Sequence, residues 1–266
     1  MIGELIIGVG TVTAAGVAYA RRQRIRLYRN LQRDVARIVD ARALDLGYLA
    51  QRKPPQFVDR FAVLPDLLSA GTFVALKAEA ERLVAPERSF VPVHKKGGTV
   101  AYETLIASAP TVVSFYHCAD FQDFISRLVG ARVRPTPIHD QSSLSVLFYD
   151  KPGDHIGWHY DHNFYRGRHF TVLISLINER HGTDQPSSAQ LVTRRGRHDE
   201  TVPMPPNTLV LFEGAQVLHK VTPLGEGETR VTLSMTFCTD PAAPLWKAVA
   251  RRFKDVAFFG VRALWT

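Results

Sequence analysis

The spacing of apolar positions changes three times along the chain. Residues 2–20, IGELIIGVGTVTAAGVAYA, are apolar apart from Glu4, and nineteen residues is about the length of a helix that crosses a bilayer. Arginines follow at once at Arg21, Arg22, Arg24, Arg26 and Arg29, while Leu27, Leu31, Val35 and Val39 recur at steps of four, the spacing of an amphipathic helix. Arg52-Lys53-Pro54-Pro55 breaks that helix and marks a linker. Phe61 to Val84 predicts a strand and then a helix with Phe73, Leu76, Ala80 and Leu83 on one face. Arg88 to Thr111 has no period, and Lys95-Lys96-Gly97-Gly98 reads as a loop. Phe121, Phe124, Ile125 and Leu128 predict a second core helix over 115–128.

From residue 143 the period falls to two. Ser143 to Tyr149 alternates and runs into the turn Asp150-Lys151-Pro152-Gly153. Arg230 to Phe237 alternates with Arg230, Thr232, Ser234 and Thr236 on one face and Val231, Leu233, Met235 and Phe237 on the other. Short strands with turns over 143–237 predict an antiparallel sandwich or barrel backed by the preceding helices. At the end of the chain Leu245, Val249, Phe253 and Val256 fall on one helical face among basic residues, with Trp246, Phe258, Phe259 and Trp265 nearby. This pattern fits an interfacial membrane helix or packing against the barrel or a second copy.

Composition narrows the class. With 266 residues, 45% hydrophobic and 22% charged, the chain is an ordinary globular one, with room for one domain of about 180–200 residues plus appendages. Two cysteines, Cys118 and Cys238, exclude a disulfide framework and fit a reducing compartment. A net charge of +8 favours an anionic partner: a membrane surface, nucleic acid or an acidic substrate. No phosphate-cradling glycine loop is present, and no nucleic-acid partner is predicted. The apolar start has its positive charge after it, which argues against a secretory signal and predicts a single-pass anchor with the following domain on the cytoplasmic side.

The candidate chemistry sits in the strand region. His159 and Asp161 are two apart, so on a strand both side chains reach one face while Tyr160 points away. His219, from a second strand, would add another imidazole. Two His and one carboxylate with open positions form the facial arrangement of non-haem Fe(II) oxygenases. Standing alone, a His-x-Asp tripeptide is more often a solvated strand. Its company changes that. Arg230 and Thr232 share a face and suit a carboxylate ligand, although the same alternation also describes a strand with its polar side in water. Tyr149 offers a further hydrogen-bond donor or a core hydroxyl bonded to backbone. Trp158 and Phe164 flank the ligands and are expected to line a pocket or to sit in the core. Arg166, Arg168, Arg194, Arg195 and Arg197 are expected to form either a basic rim for an anionic substrate or a solvated hairpin.

Four segments together carry a family resemblance: FAVLPDLLSAGTFVALKAEAERLV, SVLFYDKPGDHIGWHYD, GRHFTVLISLIN and LVLFEGAQVLHKVTPLGEGETRVTLSMTF. In order and spacing, residues Phe61 to Phe237 resemble the Fe(II)/2-oxoglutarate-dependent dioxygenases, within them the prolyl-4-hydroxylase-like branch. The resemblance implies a double-stranded β-helix, or jelly-roll, core. It implies that His159, Asp161 and His219 bind Fe(II), and that Arg230, with Thr232 and Tyr149, binds the far carboxylate of 2-oxoglutarate. O2 is then a co-substrate and ascorbate an accessory reductant. Collagen-type animal prolyl hydroxylases place Lys where Arg230 stands, which sets this chain apart from them. Related halogenases carry a small residue in place of the carboxylate, so Asp161 implies hydroxylation or another plain oxidation. The expected divisions are an anchor at 1–20, a basic helical stalk and linker at 21–58, the dioxygenase domain at 59–240 and an amphipathic segment at 241–266. The substrate is expected to be a small molecule, a lipid-linked group or a peptide, with a membrane as partner. A cupin-like metal protein and a non-catalytic membrane adaptor are the other readings of the same fold.

Overall fold

The alternating stretch 230–237 becomes the central strand of one large antiparallel sheet. The computed structural model describes residues 2–83, 87–91, 95–244, 246–251 and 253, with side chains left undescribed at 2–18, 20, 87–91 and 195. In chain order the elements are α1 (Ile2–Ala41), α2 (Tyr48–Gln51), β1 (Phe61–Leu64), α3 (Ala70–Arg82), β2 (Glu87–Val91), β3 (Lys95–Val100), α4 (Tyr102–Ser108), α5 (Pro110–His117), α6 (Ala119–Val129) and β4 (Arg134–Pro135). There follow β5 (Leu144–Tyr149), β6 (His155–His159), β7 (His169–Arg180), β8 (Leu191–Arg195), β9 (His198–Val202), β10 (Leu209–Phe212), β11 (Leu218–Val221) and β12 (Glu228–Cys238).

The strands run β1-β10-β7-β12-β5-β3-β6-β11-β8-β9, with β2 added to β3 and β4 to β12. Strand β3 makes the corner. Its Gly98–Val100 half pairs with β5, and its Lys95–Lys96 half pairs with β6. The sheet therefore curls from a larger layer onto a smaller one, in keeping with the jelly-roll expectation. Each face of β12 meets a different interior. Val231, Leu233, Met235 and Phe237 join a core with Phe115, Phe121, Phe124 and Ile125 of α5 and α6, and Leu76 and Ala80 of α3. The polar face looks into the curl, where Arg230 and Thr232 are both buried. Strand β7 is buried on both faces over most of its length, which explains its continuous apolar run.

Two stretches depart from the sequence expectations. The helix expected over 115–128 is two helices that meet at Cys118, whose ψ of 127° is extended. Gly130, at φ +65°, then ends α6 in the left-handed conformation that glycine adopts at no steric cost. The stretch expected to be irregular holds the β2–β3 hairpin and α4. Gly97 and Gly98 hide the period there because they carry no side chain, and β5 runs so close that a Cβ on Gly97 would stand 3.1 Å from the Phe148 carbonyl oxygen.

Helix α1 docks on the domain as well as forming the expected basic segment. Its face of Leu27, Tyr28, Leu31, Val35 and Ile38 packs on the helical core. Ser114 Oγ donates to the Ile38 carbonyl at 3.3 Å, and Arg42 donates to Thr111 Oγ1 at 3.0 Å. Beside them the buried Glu79 carboxylate caps the start of α5, accepting from the backbone N–H of Thr111 and of Val112, each at 3.0 Å. A carboxylate there satisfies amides that the helix leaves unpaired.

The anchor expected at 1–20 falls on the first half of α1, where side chains lie outside the described residues except at Tyr19. Among the described residues no helix is long and apolar enough to cross a membrane, so the spanning helix is not supported. Of the C-terminal segment, Leu245, Val256, Phe258, Phe259 and Trp265 also lie outside the described residues.

Candidate metal and co-substrate site

The ligand side chains come from two neighbouring strands of the smaller layer. His159 is the last residue of β6 and stands opposite His219 of β11, with the ring centroids 4.1 Å apart. Asp161 lies just beyond the strand, so pleat alternation alone does not aim it. Its backbone N–H donates to the Gly214 carbonyl at 2.9 Å, which ties it to the segment before β11. Asp161 Oδ1 then lies 3.6 Å from His159 Nε2 and 3.8 Å from His219 Nε2. The three ligand atoms lie within 4.8 Å of one another.

Backbone carbonyls set the tautomers. His159 Nδ1 bonds the Gly157 carbonyl at 2.8 Å, and His219 Nδ1 bonds the Val217 carbonyl at 3.0 Å. A carbonyl only accepts, so each Nδ1 carries a proton, which leaves each Nε2 as the nitrogen that would face a metal. Thr171 of β7 donates to Asp161 Oδ2 at 2.5 Å. Burial works to raise the Asp161 carboxyl, but His219, His159 and Thr171 outweigh it and hold it below the usual carboxylate range.

Arg230 lies along the same inner surface. It is 1% exposed and donates to the Ala189 carbonyl at 2.6 Å and, weakly, to Thr232 Oγ1 at 3.4 Å. Tyr149 stands opposite it in the β5–β12 ladder, with the guanidinium 5.7 Å from the ring centroid. Burial lowers the Arg230 pKa and pushes the Tyr149 hydroxyl up to about 12, so that hydroxyl keeps its proton. Among the described residues no carboxylate forms an ion pair with Arg230. A buried guanidinium without a counter-ion is costly, and an anionic ligand would supply the missing charge.

One cavity of about 220 Å³ joins these groups. Its lining includes His159, Asp161, His219, Arg230, Thr232, Tyr149 and Phe164. Trp158 does not line it. Next to the inward His159, it takes the opposite face of β6 and lies between Arg194 and Lys220, each 4.5 Å from its ring centroid. Nor does Arg168 line the cavity: it binds Glu213 at 2.6 Å and covers the Phe170 ring at 4.8 Å. Arg194 is paired with Asp199 at 2.6 Å, and Arg166, Arg168, Arg194 and Arg197 are all absent from the lining. The side chain of Arg195 is outside the described residues. The expected basic rim does not form around the cavity among these residues.

Thr171, Lys95 and Asp140 are among the lining residues that the sequence alone did not single out. Thr171 had one sign, a polar residue at an inward position of an apolar strand. Lys95, 8% exposed, donates to Thr99 Oγ1 at 2.8 Å and was concealed by the two glycines after it. Asp140, 4% exposed, accepts from the Tyr165 hydroxyl at 2.8 Å and from Ser142 N–H at 3.1 Å. It comes from a loop without a motif.

The donor set fits Fe(II): two imidazole Nε2 atoms and one carboxylate converge, with the cavity on their open side. The buried Arg230 fits the far carboxylate of 2-oxoglutarate.

Comparison with known proteins agrees. Residues 144–237 match the profile of the 2OG-Fe(II) oxygenase superfamily, and residues 50–166 match that of Halogenase D. No curated protein matches the chain. Among solved structures, a 2OG-Fe(II) oxygenase family oxidoreductase from Burkholderia pseudomallei is 17% identical with a TM-score of 0.56, over 74% of this chain and 92% of that one. A Pseudomonas putida prolyl-4-hydroxylase is 17% identical with a TM-score of 0.51, over 77% and 97%. The epimerase SnoN, in complex with Fe3+, α-ketoglutarate and nogalamycin RO, is 18% identical with a TM-score of 0.52, over 73% and 83%. At these identities the structures show a shared fold. The profile match over 144–237 takes in His159, Asp161, His219 and Arg230, and over this stretch the chain is similar to the 2OG-Fe(II) oxygenase superfamily.

Proposed function

We propose that the protein hydroxylates an unactivated C–H bond of a small substrate bearing a polar group. The observation that carries this reading is the seating of Asp161. Its carboxylate is held by Thr171, and its Cβ and Oδ2 crowd Gly214 so closely that an added Cβ there would lie 2.6 and 2.4 Å from them. The position that a halide would take is filled. A match to Halogenase D over residues that include Asp161 therefore goes with hydroxylation rather than halogenation.

When bound at His159, Asp161 and His219, Fe(II) with 2-oxoglutarate and O2 supplies the oxidising power that inserts one oxygen atom into the C–H bond, with succinate and CO2 as the other products. The chain's own residues do the positioning. Arg230, with Thr232 beside it, takes the far carboxylate, and protonated Tyr149 offers a further donor. Along the inner face of β12 the surface runs from Arg230 through Ser234 to Thr236, a distance of about 20 Å at ~3.3 Å per residue. Ser142, Ser145, Ser234, Thr236 and Asp140 line the far part. This end suits a hydroxylated, amine or sugar-like group better than an acyl chain. Phe164 supplies an apolar wall.

Localisation rests on sequence alone. The apolar run at 2–20 with arginines after it favours a membrane location with the catalytic domain on the cytoplasmic side. Deleting residues 1–20 and following the protein by membrane fractionation tests this.

To test the reaction, the iron-loaded protein is incubated with 2-oxoglutarate, chloride, a polar metabolite extract and isotopically heavy O2, and products are read by mass spectrometry. A product carrying one heavy oxygen atom supports hydroxylation. A chlorinated product, or heavy oxygen in succinate alone across the extract, counts against it.

A further inference from the structure

The outer surface of α1 carries a feature that the oxygenase chemistry does not use. Arg22, Arg26, Arg29, Arg33 and Arg37 are spaced by four, three, four and four residues. At about 100° per residue they fall on one face, opposite the docked face of Leu27, Leu31, Val35 and Ile38. Arg22, Arg26, Arg29, Arg33 and Arg37 are exposed or partly so. Among the described residues the ion pair made by these five is Arg37 with Asp34, at 3.6 Å. The stripe is about 22 Å long, from fifteen steps of ~1.5 Å.

A second surface points the same way. In the helical segment 246–251 and at residue 253, the apolar side chains face outward: Trp246 is 69% exposed, Val249 49% and Phe253 72%. Of the basic residues described there, Lys247 and Arg251 face inward. Lys247 Nζ donates to the carbonyls of Asn163 and Tyr165 at 2.9 and 3.2 Å, and the buried Arg251 donates to the His139 carbonyl. This inverts the usual amphipathic arrangement, and an outward face bearing Trp and Phe is that of an interfacial helix. The two elements meet at His139 through their inward faces: Tyr28, on the docked face of α1, packs its ring 5.5 Å from the His139 ring. The same loop carries Asp140 and Ser142 of the cavity lining.

We infer that the arginine stripe of α1 and the outward side chains Trp246, Val249 and Phe253 dock the protein on an anionic lipid bilayer. The occupant is argued from charge and chemistry: a row of cations suits anionic headgroups, and exposed Trp and Phe suit the interfacial depth. The inference concerns these two faces and holds whether or not residues 1–20 enter the membrane.

The test is sedimentation of the full-length chain with vesicles of phosphatidylcholine alone or mixed with phosphatidylglycerol. The mixed vesicles should bind the protein at least tenfold better, and added salt should release it. The triple variant R26E/R29E/R33E should lose on the order of a hundredfold in partition, with Arg→Gln at the same positions intermediate. W246S/F253S should lose about tenfold. Unchanged melting temperatures show that the variants fold. Equal partition into both vesicle types, or partition that the arginine changes leave untouched, overturns the inference. Unchanged partition of W246S/F253S overturns the part assigned to 246–253.

Discussion

Thr171 donates its hydroxyl to Asp161 Oδ2 at 2.5 Å and so leaves Oδ1 facing the Nε2 atoms of His159 and His219. The ligand carboxylate is aimed by a strand that carries no ligand. Outer partners of this kind commonly hold a factor of about 10–100 in metal affinity. Thr171→Val should therefore weaken Fe(II) binding by at least about tenfold, and Thr171→Ser should keep most of it. Competition against a chromogenic chelator measures both. Equal affinity in the Val variant would remove Thr171 from the site.

Gly214 is fixed by the same carboxylate. An added methyl would lie 2.4 Å from Asp161 Oδ2, 2.6 Å from Asp161 Cβ and 2.7 Å from Thr171 Oγ1. The near atoms include Cβ, so a rotamer change alone does not clear them. Gly214→Ala should destabilise the protein and weaken Fe(II) binding, while in an Asp161→Gly background the same alanine should cost less stability, the approach to Thr171 Oγ1 being the contact that remains. Melting curves of the four proteins give the coupling. Additive effects would mean that the contact is not as drawn.

Arg230 has a buried charge and no carboxylate partner among the described residues, so its natural counter-ion is a ligand. Calorimetric titration of 2-oxoglutarate into the anaerobic Fe(II) protein should show Arg230→Met binding on the order of a hundredfold more weakly. Arg230→Lys should be intermediate, because it keeps the charge but loses the planar fork. A Met variant that binds as the natural protein does would place the far carboxylate elsewhere.

Glu228 ties the last strand to its neighbours. Burial would raise its carboxyl, but Ser188, the Gly225 amide and Arg180 together lower it from 4.5 to about 2. The folded pKa lies below the unfolded one, so this stabilisation is present above pH 4.5 and is lost as pH falls from there towards 2. Glu228→Gln should flatten that part of the stability–pH curve, read by denaturant unfolding at each pH. An acid limb identical in both proteins would contradict the assignment.

The sequence made the barrel visible chiefly through β12. Its alternation is complete because one face meets the helical core and the other meets the cavity. His159, His219 and Arg230 were legible for the same reason, since all three lie on strands, whereas Asp161, just beyond β6, is held by its bond to the Gly214 carbonyl. Trp158 could have been placed by that pleat, because the neighbour of an inward histidine points out. The β2–β3 hairpin was not legible: Gly97 and Gly98 leave no side chain to show a period. Nor was the break at Cys118, where apolar residues continue on both sides and the turn comes from tertiary packing. Lys95, Asp140 and Thr171 reach the cavity through pairing between distant segments, which no local pattern records. The arginines of α1 were plain, but the outward direction of the stripe depends on which face docks.

The most direct test of the central claim is spectroscopic. Fe(II) and then 2-oxoglutarate are added to the purified protein without oxygen, and the visible metal-to-ligand charge-transfer band is recorded for the natural protein, His219→Ala and Arg230→Met. The site described here predicts a band in the natural protein, none in His219→Ala, and one in Arg230→Met that needs much more 2-oxoglutarate to saturate. No band in the natural protein, with no iron retained, would contradict the assignment of His159, Asp161 and His219 as an oxygenase metal centre.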